Sequence, residues 1–254
     1  MSYILAIDSG NSNIKWGLYH GDQWLMQGNV FYKDVSNLED EFINLPTPTF
    51  IIISHVARSE TRNQITKLIS LWPSRLEWLS SNNFRCNVIN GYINPSQLGS
   101  DRWAALIAAW RIEKQPCLVI NAGTAVTIDV LSESGKFLGG IILPGFNLMT
   151  KSLLSGTQLT NIELGSYEDF PVSTENALQS GLIHCILGAV DRMYNLLLST
   201  VNLASVNCII SGGSASLLIP FFKLPIKVIN NLVLEGLIIV ANDTLGNSEP
   251  SFSL

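Results

Sequence analysis

Apolar and polar residues alternate along this chain in short blocks that glycine interrupts at regular places. Residues 3–9, 13–19 and about 23–31 read as a meander of three strands, with Gly21-Asp22 at the second turn. Phe50 to Ser54 is a continuous apolar run, the mark of a strand buried on both faces. Glu60 to Trp72 has helical spacing and stops at Pro73. Residues 81–98 are rich in Asn with little periodicity, so a long loop is expected there. Gly99-Ser100-Asp101 then opens an apolar helix, Trp103 to Glu113.

The pattern restarts near Pro116. Residues 117–121, 124–131 and 136–143 form a second meander, turning at Ser134-Gly135. Pro144-Gly145 leads into a helix, and Thr174 to about Ser199 reads as a long one. Val206 to Ser211 is a strand ending in Gly212-Gly213, and Val233 to Asn242 a final helix. A three-strand meander followed by a further strand and helices thus appears twice, so an α/β chain with two lobes, 1–114 and 115–254, is expected. Ser248 to Leu254 reads as a frayed tail.

Within the repeat, two turns share a layout. Ile7-Asp8-Ser9-Gly10-Asn11 and Ile120-Asn121-Ala122-Gly123-Thr124 keep one offset for the polar residue (121 − 8 = 113) and for the glycine (123 − 10 = 113). A repeat of this kind points to a duplicated domain with a ligand between the copies. It favours a nucleotide-dependent phosphotransferase.

Composition narrows the classes. The chain has 254 residues, 47% hydrophobic and only 14% charged, against about 25% charged in a typical soluble domain. An oligomer interface would absorb the extra apolar surface, so at least a dimer is expected. A net charge of −5 without a basic cluster argues against nucleic acid as the main partner. No apolar run approaches the roughly 20 residues of a membrane span, and Met1 to Asp8 leads straight into a strand without a basic region. Cys86, Cys117, Cys185 and Cys208 lack metal-type or redox spacing, as in a cytosolic protein.

Candidate chemistry gathers at the glycine turns. Asp8 ends a buried strand, where a carboxylate gains nothing by packing. Gly10 with a positive φ would let the amides of Asn11 to Asn13 face an anion. Alternation then puts Asn13, Lys15 and Gly17 on one face, with Lys15 returning toward phosphate oxygens. Asp8 would hold Mg²⁺ through water. A capped hairpin with a surface lysine is the plain alternative. No Walker-type loop is present, which excludes a P-loop enzyme.

At Gly99-Ser100-Asp101-Arg102, Ser100 or Asp101 is a good helix N-cap. Arg102 opposes the helix dipole there, which a polar or anionic substrate would explain. The same dipole should keep Asp101 ionised and weakly basic. Function and capping both remain open on these residues. His20, His55 and His184 are isolated, with His184 expected in the core, and Asp129 shares a strand face with Thr127. Gly212-Gly213 either admits an adenine ring or forms a plain loop.

Taken jointly, Asp8-Ser9-Gly10-Asn11-Ser12-Asn13-Ile14-Lys15, Gly99-Ser100-Asp101-Arg102-Trp103-Ala104 and Gly123-Thr124-Ala125-Val126-Thr127-Ile128-Asp129 resemble the signature motifs of type III pantothenate kinases. Gly139-Gly140, Pro144-Gly145, Thr174-Glu175-Asn176-Ala177 and Ser211-Gly212-Gly213 extend the likeness from residue 4 to about 240. The resemblance implies an actin-like fold of two ribonuclease-H-like lobes with ATP in the cleft. It implies phosphorylation of pantothenate on its primary hydroxyl, the first step toward coenzyme A, by a homodimer. By position, Asp8, Ser9, Gly10, Asn11, Ser12, Asn13, Ile14, Lys15 and Thr124 would bind ATP. Asp101 would accept the proton, and Tyr92, Gly99, Ser100, Arg102 and Thr174 would contact pantothenate.

One departure stands out. The family usually has Asp where this chain has Asn121, and that carboxylate goes with a potassium or ammonium ion. Weak or absent cation dependence is therefore expected. Two other readings carry weight: a related small-molecule kinase of the same superfamily, and a non-enzymatic nucleotide-binding regulator of transcription.

Overall fold

The computed structural model describes residues 2–157 and 163–246; the expected tail from Ser248 lies outside them. Its strands are β1 Tyr3–Ser9, β2 Asn13–His20, β3 Gln23–Phe31, β4 Phe50–His55, β5 Arg75–Trp78, β6 Phe84–Arg85, β7 Val88–Asn90, β8 Cys117–Ala122, β9 Ala125–Leu131, β10 Lys136–Pro144, β11 Asn207–Ser211 and β12 Ile226–Val228. Its α-helices are α1 Asn37–Ile43, α2 Ser59–Ile69, α3 Ser100–Glu113, α4 Phe146–Gly156, α5 Thr174–Val201, α6 Ala215–Leu218 and α7 Leu232–Leu245.

The duplication is written in the strand order. One sheet runs β3-β2-β1-β4-β5, and the strands of the second copy run β10-β9-β8-β11-β12. Both meanders are followed by a parallel neighbour: β4 lies parallel to β1, and β11 parallel to β8. The last strand of each copy, β5 and β12, was not expected from sequence. Each is short, four and three residues, with no fully buried position. The presumed loop at 81–98 also contains β6 and β7, paired antiparallel. Two-residue and three-residue strands show no period to read.

The chain divides into two compact units. The first holds Met1–Lys114, Gly135–Phe137 and Asn231–Leu254; the second holds Gln115–Ser134 and Leu138–Asn230. This differs from a single cut after 114 because α7 belongs with the first unit. Packing is the reason: a Cβ on Gly236 of α7 would run into the Ala104 backbone of α3. Both helices are apolar around most of their circumference, as fully enclosed helices must be.

In the first unit, Leu5, Ile7, Ile14, Ile51 and Ile53 of the sheet pack with Leu38 and Phe42 of α1 and Ile65 of α2. In the second, Leu118, Ile120, Val126 and Ile128 pack against Leu182, Ile186 and Val190 of α5. At 28 residues, α5 meets the length and apolar composition of a membrane span, contrary to expectation. It carries Asp191 and Arg192 mid-helix, and its buried stripe is the one that covers the sheet. Its start is capped by Ser173, whose hydroxyl accepts from the Asn176 amide at 3.3 Å.

Candidate active site

The first unit assembles a site at the ends of β1 and β4 and the start of α3. β1 and β4 run parallel in register, Asp8 beside Ser54 and Ser9 beside His55. β1 and β2 run antiparallel, which sets Lys15 directly across from Asp8. Directly opposed residues share a sheet face, so Lys15 returns toward the turn as alternation predicts. The Lys15 charge lowers the Asp8 pKa, while burial and the Asp101 charge raise it, the net result being about 7. Asp8 Oδ1 and Asn13 Oδ1 are buried without a hydrogen-bond partner in the protein. A buried oxygen left without a partner calls for an ion, a water or a catalytic role to explain it.

Gly10 departs from expectation. It does not take a left-handed backbone, and its amide is spent inside the turn on the Asn13 carbonyl at 3.1 Å. What the glycine provides is an open turn surface, flanked by the exposed side chains of Asn11 and Ser12.

Gly99 is the N-cap residue of α3, so neither Ser100 nor Asp101 takes that position. The Ser100 hydroxyl instead pairs with the Ser54 hydroxyl at 3.0 Å and accepts from the His55 amide at 3.1 Å. Asp101 Oδ1 accepts from the Arg102 amide at 2.8 Å. Despite that bond and the Arg102 charge, burial raises the Asp101 pKa, against the expectation that the dipole keeps it weakly basic. Desolvation of a carboxylate outweighs the terminal dipole here. A Cβ on Gly99 would sit 2.5 Å from Asp101 Oδ1, so a larger residue there would shift the carboxylate.

Arg102 is 5% exposed. Its guanidinium donates to the Tyr92 hydroxyl at 2.8 Å and lies 5.7 Å from the Tyr92 and Phe137 ring centres. Tyr92 is fixed by a turn in which its amide donates to Asn90 Oδ1. The structure therefore joins Tyr92 and Arg102, which are separated in sequence, with Gly99, Ser100 and Asp101.

The second turn differs in detail. Its innermost pair is Ala122 and Val126, whereas the first closes on Ser9 and Ile14. The second is one residue shorter, so Thr127, not Ile128, stands across from Asn121. Thr124 is exposed, and its carbonyl accepts from the Gly145 amide at 3.0 Å. Gly212 abuts the Ala122 backbone, so a Cβ there would strike it, while Gly213 has open space around it. Thr174 is exposed at the first turn of α5, and Asp129 is fully buried in β9.

Two histidines are placed otherwise than expected. His184 is exposed, 5.3 Å from the Tyr167 ring centre, and is no core residue. His55, set aside as isolated, lies inside the site: its Nδ1 is 3.0 Å from Ser9 Oγ. The signal available in the sequence was the polar pair Ser54-His55 closing an otherwise apolar strand.

A sequence model of the type III pantothenate kinases matches residues 4–196. A curated type III pantothenate kinase of Nitrosospira multiformis is 45% identical over 241 residues, covering 95% of this chain and 92% of that one. The chain belongs to the type III pantothenate kinase family. Among solved structures, a Campylobacter jejuni protein assigned to the Baf family of transcriptional activators aligns with TM-score 0.60 at 22% identity, covering 95% of this chain and 99% of that one. The ADP-bound MreB5 of Spiroplasma citri aligns with TM-score 0.53 at 12% identity, covering 98% and 99%. These distant structures bear on fold alone, and they agree with the expected actin-like duplicated α/β architecture.

Proposed function

We infer that the protein transfers the terminal phosphoryl group of ATP to the primary hydroxyl of pantothenate, giving phosphopantothenate and ADP at the entry to coenzyme A synthesis. The supporting observation is the half-buried carboxyl of Asp101 at a helix start, raised in pKa by desolvation, together with a second raised carboxyl, Asp8. Family membership names the substrate.

In this reading Asp101 orients the acceptor hydroxyl and takes its proton. A raised pKa makes the carboxylate a better proton acceptor, and phosphoryl transfer through a loose transition state needs that proton only late. Arg102 and Tyr92, already bonded to each other, position pantothenate with Gly99, Ser100 and Thr174. Asp8, Ser9, Gly10, Asn11, Ser12, Asn13, Ile14, Lys15 and Thr124 bind ATP, Lys15 meeting phosphate oxygens with its ammonium.

The orphaned oxygens of Asp8 and Asn13 fit a hydrated Mg²⁺. No group of three or more His, Cys, Asp or Glu side chains suited to a metal occurs among the described residues. In this reading one carboxylate, water and phosphates hold the magnesium ion. When bound, Mg²⁺ would neutralise phosphate charge. Asn121 is neutral and half-buried, so a potassium or ammonium ion there has no charge to hold it.

We also read the protein as a cytosolic homodimer. Ile93, Phe170 and Val172 are at least 91% exposed, apolar surface that a partner copy would cover. All four cysteines are free, as in a reducing compartment. The deciding experiment is ADP release with ATP, Mg²⁺ and pantothenate, run beside Asp101→Asn as a blank. Turnover that requires pantothenate and vanishes in the blank supports the reading; equal ADP release with and without pantothenate overturns it.

A further inference from the structure

One polar chain in the first unit links two residues of the reading above, Ser9 and Ser100, through a third that has no role in it, His55. It begins at Ser9, fully buried in the phosphate turn, whose Oγ lies 3.0 Å from His55 Nδ1. It continues through the His55 backbone amide, which donates to Ser100 Oγ at 3.1 Å, and ends on Ser54 Oγ, 3.0 Å from Ser100 Oγ. The Ser9 carbonyl is tied to the same strand end, accepting from the Val56 amide at 3.1 Å. A single residue, His55, thus holds the nucleotide turn with its ring and the Asp101 helix with its backbone. Its ring stands edge-on to Trp78, 5.8 Å between centres, and the Arg62 guanidinium lies over the other ring at 4.1 Å.

We propose that His55 is a positioning residue that holds the Ser9 hydroxyl in place for nucleotide binding and couples the phosphate turn to the helix that carries Asp101. Burial and the Arg62 charge hold the imidazole below the ordinary histidine range, with the Arg58 backbone opposing them. The ring is therefore neutral near pH 7, and a neutral ring has one nitrogen able to accept the Ser9 hydroxyl proton. That hydroxyl is then fixed in direction at the turn where the amides and Lys15 meet phosphate. The inference rests on the kinase reading for its consequence in turnover, but its geometry concerns nucleotide binding alone.

Substitutions separate positioning from packing. His55→Phe keeps a ring against Trp78 and removes Nδ1. His55→Asn loses the ring but places an amide atom near the Nδ1 position. Measured by calorimetric titration of the ATP–Mg²⁺ complex, His55→Phe should weaken binding about five- to tenfold, the scale of one hydrogen bond. His55→Asn should stay within about twofold of the parent while melting at a lower temperature, because the ring contact is gone. Ser9→Ala should weaken binding like His55→Phe, and the double variant should be no weaker than either single one. The proposal is overturned if His55→Phe binds normally, if His55→Asn is as weak as His55→Phe, or if the Ser9 and His55 losses multiply. Absence of pantothenate-dependent ADP release by the parent would remove the kinase reading while leaving these binding comparisons decisive for His55.

Discussion

The two glycine turns descend from one design and have diverged in opposite ways. The first, closed by Ser9 and Ile14, is rich in charge: Asp8 is half-buried with a pKa of about 7, Lys15 faces it, and Asp101 adds its own field. The second, closed by Ala122 and Val126, sets neutral Asn121 across from Thr127. It is instead closed over by backbone, with Gly145 and Gly212 pressed so near that a Cβ on either would strike the turn. The helices that follow β5 and β12 differ likewise: α3 starts Ser100-Asp101-Arg102, while α7 starts Leu232-Val233-Leu234. Duplication preserved the strand order and left the charged chemistry in one copy. A charged turn must stay open to a ligand, because buried charge without a partner is expensive; a neutral turn is free to be packed.

The largest effect should come from the helix start. Asp101→Asn removes the proposed proton acceptor and should lower kcat by about 10²–10⁴, the usual worth of a general base. ATP binding measured by titration should change less than about threefold, since the proposed role has the carboxylate meet the acceptor and not the nucleotide. Retention of more than a tenth of parental turnover would take the chemistry away from the charged copy.

Asp8→Asn converts the first turn to the character of the second. Catalytic efficiency toward ATP–Mg²⁺ should fall about 10²-fold, an amount typical of losing a charged contact to the nucleotide's counterion. Stability should move the other way. The folded-state pKa of about 7 lies above the ordinary 3.8, so the folded protein holds a proton that the unfolded chain releases. The penalty for ionising Asp8 is absent below about 3.8, grows as pH rises, and is complete above about 7. Without nucleotide, Asp8→Asn should therefore melt roughly 3–6 °C above the parent at pH 8, and the gap should close near pH 4. A constant gap across that range would show that burial does not load this carboxyl.

Much of the fold was legible because long strands announce themselves. β1, β2, β4, β8 and β9 carry four or more buried apolar positions or clear alternation. What escaped was short or half-exposed, such as β5 and β12, whose membership is decided by the parallel neighbour and by no pattern of their own. The charged residues of the site were readable as motifs, since Asp8, Lys15, Asp101 and Arg102 stand where packing does not want them. His55 was not, because its meaning comes from a parallel register with Ser9 that 46 residues of chain separation conceal. The shorter second turn was hidden for a related reason: equal spacing of Asp8 and Asn121 to their glycines says nothing about which residue closes the hairpin.

Packing of the second turn gives the next test. Gly145→Ala should destabilise the protein by about 1–3 kcal/mol through overpacking, because the new methyl meets the carbonyls of Gly123 and Thr124. Gly10→Ala places its methyl 3.4 Å from the Asn13 carbonyl, an approach the open turn can relieve, and should shift the melting temperature by less than about 2 °C. Equal losses would erase the distinction between an open and a closed turn.

The smallest expected effect is the most diagnostic of how the copies parted. Asn121 lies in register with Thr127 on one side and Ser211 on the other, so its two strand neighbours are neutral like itself. Potassium added to the parent enzyme should change turnover by less than about twofold, because a neutral amide offers a cation one dipole and no net charge. Asn121→Asp restores a carboxylate at the same position, and turnover should then rise about two- to fivefold with potassium while sodium does little. Steep potassium activation of the parent, lost in Asn121→Ala, would show that the second turn kept a cation site without its charge. The neutral turn would then be an active part of the site and not only a packed one.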